Sequence, residues 1–154
     1  MGSKVLSRNK KAFHDYHIEE TLEAGIVLTG SEVKSIRGGR LNLKDSFARI
    51  LGNEVFLLNV HISPYAQADG FAEHEPERRR KLLLHKREIQ RLIGKTRVKG
   101  FTLIPTKVYL KDGKIKVEIA LAKGKTSYDK RATIKKKEAD REVARAMRQR
   151  SKDS

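Results

Sequence analysis

The sequence predicts a mainly β body with short helices on its flanks, followed by a basic tail that has no core of its own. Three observations predict it. Two pairs of strand-like runs each flank a two-residue turn signal, one segment carries helical apolar spacing, and residues 123–154 hold a single aromatic, Tyr128.

In chain order, residues 1–11 form a polar basic arm with Lys4, Arg8, Lys10 and Lys11, expected to be mobile. Tyr16, Ile18, Leu22, Ile26 and Leu28 then suggest extended chain interrupted at Gly25. Thr29-Gly30-Ser31-Glu32 fits a capping box, a Thr followed three residues later by Glu. A short helix should follow, turning Val33 and Ile36 inward and ending at Gly38-Gly39.

Phe47 to Leu51 and Val55 to Ile62 flank Gly52-Asn53, and Val108 to Lys111 and Lys114 to Leu121 flank Asp112-Gly113. Both turns favour positive φ, so both read as hairpins. Ile115, Val117 and Ile119 alternate with Lys114, Lys116 and Glu118, the pattern of a half-buried strand. Pro64, Gly70 and Pro76 mark a loop over 63–77. Within 78–94, Leu82, Ile89, Leu92 and Ile93 share a helical face, Lys86, Arg87 and Arg91 face solvent, and Gly94 reads as the glycine past the helix end. Phe47, Phe56, Phe101 and Tyr109 are read as core. The body is thus 12–122, and its proportions suit a small closed OB-type barrel with two or three flanking helices.

The tail, 123–154, carries twelve Lys/Arg against five Asp/Glu. Ala139, Val143, Ala146 and Met147 have helical spacing, but the stripe is thin. Fixing each residue costs ~1–2 kcal/mol. Burying a Val or a Met returns about 1.5–3 kcal/mol each. The pairs Glu138–Arg141 and Glu142–Arg145 add a few tenths of a kcal/mol at most. The tail is therefore expected to be disordered alone and helical against a partner.

Charge points to that partner. Lys plus Arg number 35 and Asp plus Glu 19, a formal +16, so the field attracts polyanions. Membrane is the weaker choice. The runs Ile26-Val27-Leu28 and Val55-Phe56-Leu57-Leu58 are too short to span a bilayer, and no apolar stretch follows the basic N-terminus as in a signal peptide. Leu6 stands where a myristoylation motif needs Ser or Thr. The chain has no cysteine, which excludes disulfides and thiolate metal sites. A cytoplasmic protein is expected.

Catalytic constellations fail on spacing. Gly94-Lys95-Thr96 and Gly124-Lys125-Thr126 resemble the end of a P-loop, but Ile89 and Ile119 stand where the earlier glycine belongs. His14-x-x-His17 could pair on a metal, yet His61, His74 and His85 are not at ligand spacing from it. Glu20 is split from Glu19 and Glu23 by strand alternation. No enzyme, metal or cofactor is expected. For RNA, Lys and Arg supply phosphate contacts, while exposed aromatics and polar groups reach unstacked bases. Phe13, Tyr16, Tyr65, Phe71 and Tyr128 lie nearest basic residues, and Arg78–Lys81, which adjoins further basic residues, reads equally as a solvated basic face or as an RNA contact.

Several motifs in register carry a resemblance. They are Asn9-Lys10-Lys11-Ala12-x-His14-Asp15-Tyr16, Glu23-Ala24-Gly25-Ile26, Glu32-Val33-Lys34-Ser35-Ile36-Arg37 and Asn42-Leu43-x-Asp45-Ser46. Arg80-Lys81-Leu82-Leu83-Leu84-His85-Lys86 and Lys123-Gly124-Lys125-x-x-Tyr128-Asp129-Lys130-Arg131 complete the set. Together they resemble the small protein B (SmpB) family over nearly the whole chain. Ser31, where Thr or Trp is more usual, and Tyr128, where some members carry His, are small departures.

The resemblance implies an OB-type barrel that binds the elbow of the tRNA-like domain of transfer-messenger RNA (tmRNA). It puts Asn9, His14, Glu23 and Leu83 at or beneath that contact, with Lys10, Lys11, Lys34, Arg37, Lys123 and Lys125 as basic companions. A carboxylate such as Glu23 can accept hydrogen bonds from a base edge. Three consecutive leucines cannot all face one side, so Leu83 is the expected exposed one. The resemblance further implies trans-translation on stalled ribosomes, with the protein standing in for an anticodon arm. Tyr128, Asp129, Lys130, Arg131, Lys135, Lys136, Lys137 and Met147 would act at the decoding centre of 16S rRNA in the small subunit. Elongation factor Tu with alanyl-tmRNA would be a co-partner, and the protein a monomer. The alternative is a generic OB-fold RNA-binding, ribosome-associated protein.

Overall fold

Asp112 and Gly113 both take positive φ, 51° and 76°, as a two-residue type I′ turn requires. They close the longest hairpin of the computed structural model, β8 (Phe101–Lys111) on β9 (Lys114–Gly124). The structure describes residues 3–64, 75–125, 138–139, 141–143 and 145. The chain divides into two units, Met1–Gly124 and Lys125–Ser154.

In the first unit, the free edge of β9 pairs with β2 (Tyr16–Ile26), from Tyr16↔Gly124 to Gly25↔Lys116. β2 pairs with β7 (Arg80–Leu83) at Gly25↔Leu83. β7 pairs with β5 (Glu54–Leu58), β5 with β4 (Phe47–Leu51) around Gly52, and β4 with β8 at Ala48↔Leu103. The antiparallel pairings β8–β4–β5–β7–β2–β9 thus return to β8. β1 (Ser3–Arg8) adds along Lys107 to Lys111 of β8, and β3 (Leu41–Asn42) pairs with β6 (His61–Ile62) apart from the main sheet.

α1 (Lys10–Asp15), α2 (Gly30–Arg37) and α3 (Lys86–Thr96) flank the strands. The α2 capping box is present in full: Glu32 N–H donates to Thr29 Oγ1 at 3.3 Å, and Thr29 N–H donates to Glu32 Oε1 at 2.9 Å. Gly38 ends that helix. Ile36, Leu57, Leu82, Leu92, Leu103 and Ile119 are buried in one core. A second, smaller cluster of Ala12, Ile104, Ala120 and Ala122 lies where α1 meets β8. Alternation assigns β9 to both: Val117, Ile119 and Leu121 to the first core, Ala120 and Ala122 to the second.

Several expectations need correction. Residues 3–8 of the supposed mobile arm are β1, because Leu6 packs on the core and Asn9 N–H donates to Thr106 O at 2.8 Å. Gly25 does not interrupt β2; an added Cβ there would lie 3.3 Å from Leu83 Cβ, so glycine permits the close approach of β7. Leu82 belongs to strand β7 rather than to the helix, and Gly94 lies inside α3, which runs on to Thr96. Asn59, at φ 60°, ends the second arm of the first hairpin before Ile62. Phe56 is a half-buried ring under the Arg79 guanidinium, 4.3 Å from its centroid, whereas Phe47 and Phe101 pack against the two cores.

β9 also takes Lys123 and Gly124 into the sheet, residues that composition assigned to the tail. In the second unit, residues 138–139, 141–143 and 145 are helical and exposed, Val143 among them. No helix among the described residues is long and apolar enough to cross a membrane.

Candidate nucleic-acid interface

The outer face of the sheet is built by what the core leaves over. On β2 the residues that alternate away from Ala24 are Glu23 and Gly25; on β7 they are Lys81 and Leu83. Gly25 pairs with Leu83, so Leu83 lies one strand across and two residues along from Glu23. Leu82 is buried and Leu83 is 52% exposed, the single outward leucine that alternation requires.

Glu23 is held from β8. Tyr109 Oη donates to Glu23 Oε1 at 2.6 Å, and Lys111 Nζ donates to the same oxygen at 3.3 Å. The Tyr109 hydrogen bond, aided by Lys111 and Lys116 against partial burial, keeps the Glu23 carboxyl below the usual carboxylate range. Burial and the facing carboxylate push the Tyr109 phenol up, so it stays a donor. Tyr109 was read as core. The ring is indeed buried, but its hydroxyl serves the outer face.

A second set gathers on α1. Asn9 is buried and structural: Oδ1 caps the helix at Ala12 N, 3.3 Å, and Nδ2 donates to Pro105 O at 3.0 Å and Leu43 O at 3.3 Å. Lys10 is exposed, Lys11 Nζ sits 3.3 Å from Asp45 Oδ1, and His14 Nδ1 lies 2.9 Å from Asp15 Oδ1. Lys123, opposite His17 on β2, is exposed at this same end, its Nζ 5.9 Å from the Phe101 ring centroid. His17 and Glu23 are six steps apart on β2, so the two sets stand roughly 20 Å apart along the strand. Arg37 is exposed at the Glu23 end, where Nη2 donates to Gly113 O at 3.4 Å. Lys34 is exposed on α2, and Lys125 is half-buried. Tyr65, Phe71, Tyr128, Asp129, Lys130, Arg131, Lys135, Lys136, Lys137 and Met147 lie outside the described residues.

Sequence reasoning missed one cluster altogether. Arg80, read within a run that was either a solvated face or an RNA contact, is fully buried beside Glu32, itself 2% exposed. Arg80 Nε donates to Glu32 Oε2 at 2.7 Å, Nη1 to Val60 O at 2.7 Å, and Nη2 to Pro76 O at 3.0 Å and Glu75 O at 3.2 Å. Arg78 Nη2 donates to Glu32 Oε1 at 2.6 Å. Burial pushes the Glu32 carboxyl up, but Arg78, the Thr29 N–H and Arg80 outweigh it and hold the group at about 2. The Arg80–Glu32 pair therefore joins α2, β7 and the chain at 75–76, and of the run it leaves Arg78, Arg79 and Lys81 near solvent. The one available signal was strand alternation, Arg80 and Leu82 on one side and Lys81 and Leu83 on the other.

An antiparallel β body with a cationic surface and an ordered outward carboxylate has the character of a polyanion-binding module. Comparison narrows that class. The profile of the SmpB protein family matches residues 6–149. The SsrA-binding protein of Geobacillus thermodenitrificans is 60% identical over 149 residues, covering 97% of this chain and 96% of the relative. That of Shouchella clausii is 61% identical over 147 residues, covering 96% and 94%. A solved chain described under "tmRNA-SmpB: a journey to the center of the bacterial ribosome" superposes with a TM-score of 0.66 at 48% identity, over 79% of this chain and 85% of that one. The chain belongs to the SmpB family.

Proposed function

We propose that this chain binds the tRNA-like domain of tmRNA through the outer face of its β body and serves trans-translation on stalled ribosomes. The observation that carries the reading is the pairing of Gly25 with Leu83, which gathers Leu83 and Glu23 onto one exposed surface. An exposed leucine offers an apolar contact to an unstacked base, Glu23 offers an acceptor, and the surrounding lysines neutralise phosphates. Lys10, Lys11, His14 and Lys123, some 20 Å along β2, fit a second stretch of the same folded RNA. Asn9 acts from below, by holding α1 in place.

The circuit of strand pairings supports reading the body as a small closed OB-type barrel. The tail supplies the other half of the function. Its basic composition and thin apolar stripe suit a segment that folds against rRNA in a decoding centre and channel empty of mRNA, with Tyr128 stacking and Asp129, Lys130, Arg131, Lys135, Lys136, Lys137 and Met147 in contact. The barrel then takes the place of an anticodon arm. The small ribosomal subunit, 16S rRNA and elongation factor Tu with alanyl-tmRNA are the partners, in the cytoplasm and with the protein as a monomer. No catalytic step is assigned to the chain.

Competition binding tests this. A labelled tRNA-like domain of tmRNA should stay bound at moderate salt against an excess of unrelated structured RNA. Equal competition would establish generic RNA binding instead. Deleting residues from Lys125 onward should spare that binding and abolish tagging on stalled ribosomes. Lost RNA affinity in the truncated protein would refute the division of labour between body and tail.

A further inference from the structure

The Glu23 carboxylate is asymmetrically occupied. Oε1 accepts from both Tyr109 Oη, at 2.6 Å, and Lys111 Nζ, at 3.3 Å. Two donors fill the two lone pairs of that oxygen, and neither donor reaches Oε2. The side chain is 38% exposed, so the carboxylate lies at the surface rather than sealed in the core. Across β9, Glu23 faces Glu118 in register, a like-charge pair that would splay both side chains at random on an open surface. Each is instead tied toward β8: Glu118 accepts from Thr106 Oγ1 at 2.5 Å and lies 4.0 Å from Lys107 Nζ, while Glu23 is drawn to Tyr109.

Tyr109 can do this because it cannot move. Its ring is 8% exposed, β1 flanks it through Val5 and β9 through Lys116, and Lys107 Nζ stands 5.4 Å from its centroid. A phenol has few rotatable bonds and keeps its proton here, so it is a fixed donor, unlike the half-exposed Lys111 beside it.

We propose that Tyr109 is a positioning residue for RNA recognition: its hydroxyl fixes the Glu23 carboxylate so that Oε2, and only Oε2, is offered to a hydrogen-bond donor on the RNA. The inference rests on the reading of Glu23 as an RNA contact. Tyr109 itself touches no RNA, and it acts through the orientation of its neighbour. Fixing an acceptor before binding removes the rotamer cost of ordering it on contact.

The test measures affinity of the full chain for the tRNA-like domain of tmRNA, for Tyr109→Phe, Glu23→Ala, Glu23→Gln and the double variant Tyr109→Phe/Glu23→Ala. Tyr109→Phe keeps the ring and should weaken binding about 5- to 10-fold, as expected for loosening a charge-assisted contact. The slope of affinity against salt should stay unchanged, because no phosphate contact is lost. Glu23→Gln, which can still accept from Tyr109 but presents an amide NH2 in place of Oε2, should lose as much as Glu23→Ala. In the Glu23→Ala background, removing the Tyr109 hydroxyl should cost nothing further.

Additive losses would make Tyr109 merely structural, and wild-type binding by Tyr109→Phe with Glu23→Ala impaired would overturn the inference alone. Wild-type binding by Glu23→Ala would overturn it together with the reading of Glu23 as an RNA contact. A carboxyl NMR titration gives a second, RNA-free readout. The Glu23 titration should move up toward the ordinary carboxylate range in Tyr109→Phe, and an unmoved titration in a folded variant would equally overturn the proposal.

Discussion

Glu32 and Glu23 are both carboxylates held below the usual range, Glu32 at about 2 by Arg78, Thr29 and Arg80, and Glu23 by the Tyr109 hydroxyl first and then by Lys111. Their surroundings differ in kind. Glu32 has both oxygens engaged, by Arg78 and Thr29 on one side and Arg80 on the other. Glu23 has one oxygen engaged, on a side chain that is 38% exposed. A buried carboxylate must have every lone pair answered, or the cost of removing it from water is not recovered. A surface carboxylate can keep an acceptor in reserve. Two neighbouring regions thus use one residue type for opposite purposes: near 32 and 80 the charge holds the fold together, and near 23 and 109 it is presented outward.

Arg80→Ala should break this comparison open most widely. It strips the buried Glu32 of its fully buried partner and also frees the carbonyls of Val60, Glu75 and Pro76. Removing one member of a buried pair costs about 3–5 kcal/mol, and chemical denaturation should show a loss of that size. At temperatures where the variant remains folded, RNA affinity should change far less than stability does. A stability loss under 1 kcal/mol would mean that the cluster is far more hydrated than its burial indicates.

Acid should reach the same cluster more gradually. The Glu32 carboxyl titrates at about 2 in the folded protein against an ordinary 4.5. A group with a lowered folded-state pKa contributes stability that is complete above the ordinary value and is lost as pH falls through the folded one. Stability should therefore decline between about pH 4.5 and 2, by up to about 3 kcal/mol for this one group. Urea midpoints measured at pH 6, 4 and 3 would show it. Glu32→Gln should lower stability throughout and flatten the decline, and an unchanged slope in that variant would assign the acid sensitivity to other carboxylates.

These two regions were unequally legible in the sequence. The Thr29–Glu32 capping box, the turns at Gly52 and Asp112-Gly113 and the outward Leu83 depend on neighbours in the chain, and local spacing was enough to find them. The Glu32–Arg80 bond joins residues 48 apart, and Tyr109–Glu23 joins residues 86 apart. Nothing local marks either. The arginine run 78–80 concealed a buried member because charge alone gives no side of a strand. The apolar residues Leu82, Ile89, Leu92 and Ile93 have a true helical spacing, which outweighed the strand pattern of 80–83 until β5 and β2 were seen on either side. Likewise β1 owes its order to β8, about a hundred residues away in the sequence.

The smallest effect on stability, and the sharpest contrast, belongs to adjacent leucines. Leu82→Ala empties a fully packed position and should cost about 2–5 kcal/mol. Leu83→Ala removes a side chain already half in water and should stay within about 0.5 kcal/mol of the parent protein. It keeps the Cβ that lies against Gly25, so the approach of β7 to β2 is undisturbed. In binding the order should reverse. Leu83→Ala should weaken affinity for the tRNA-like domain about 3- to 10-fold through lost apolar contact, equivalent to shedding roughly 1 kcal/mol. Leu82→Ala, where still folded, should bind nearly as the parent does. Paired melts and binding isotherms on the two variants settle this. If Leu83→Ala binds RNA normally, the outer face of β7 is not in the interface, and the contact must be sought at the α1 end of the sheet.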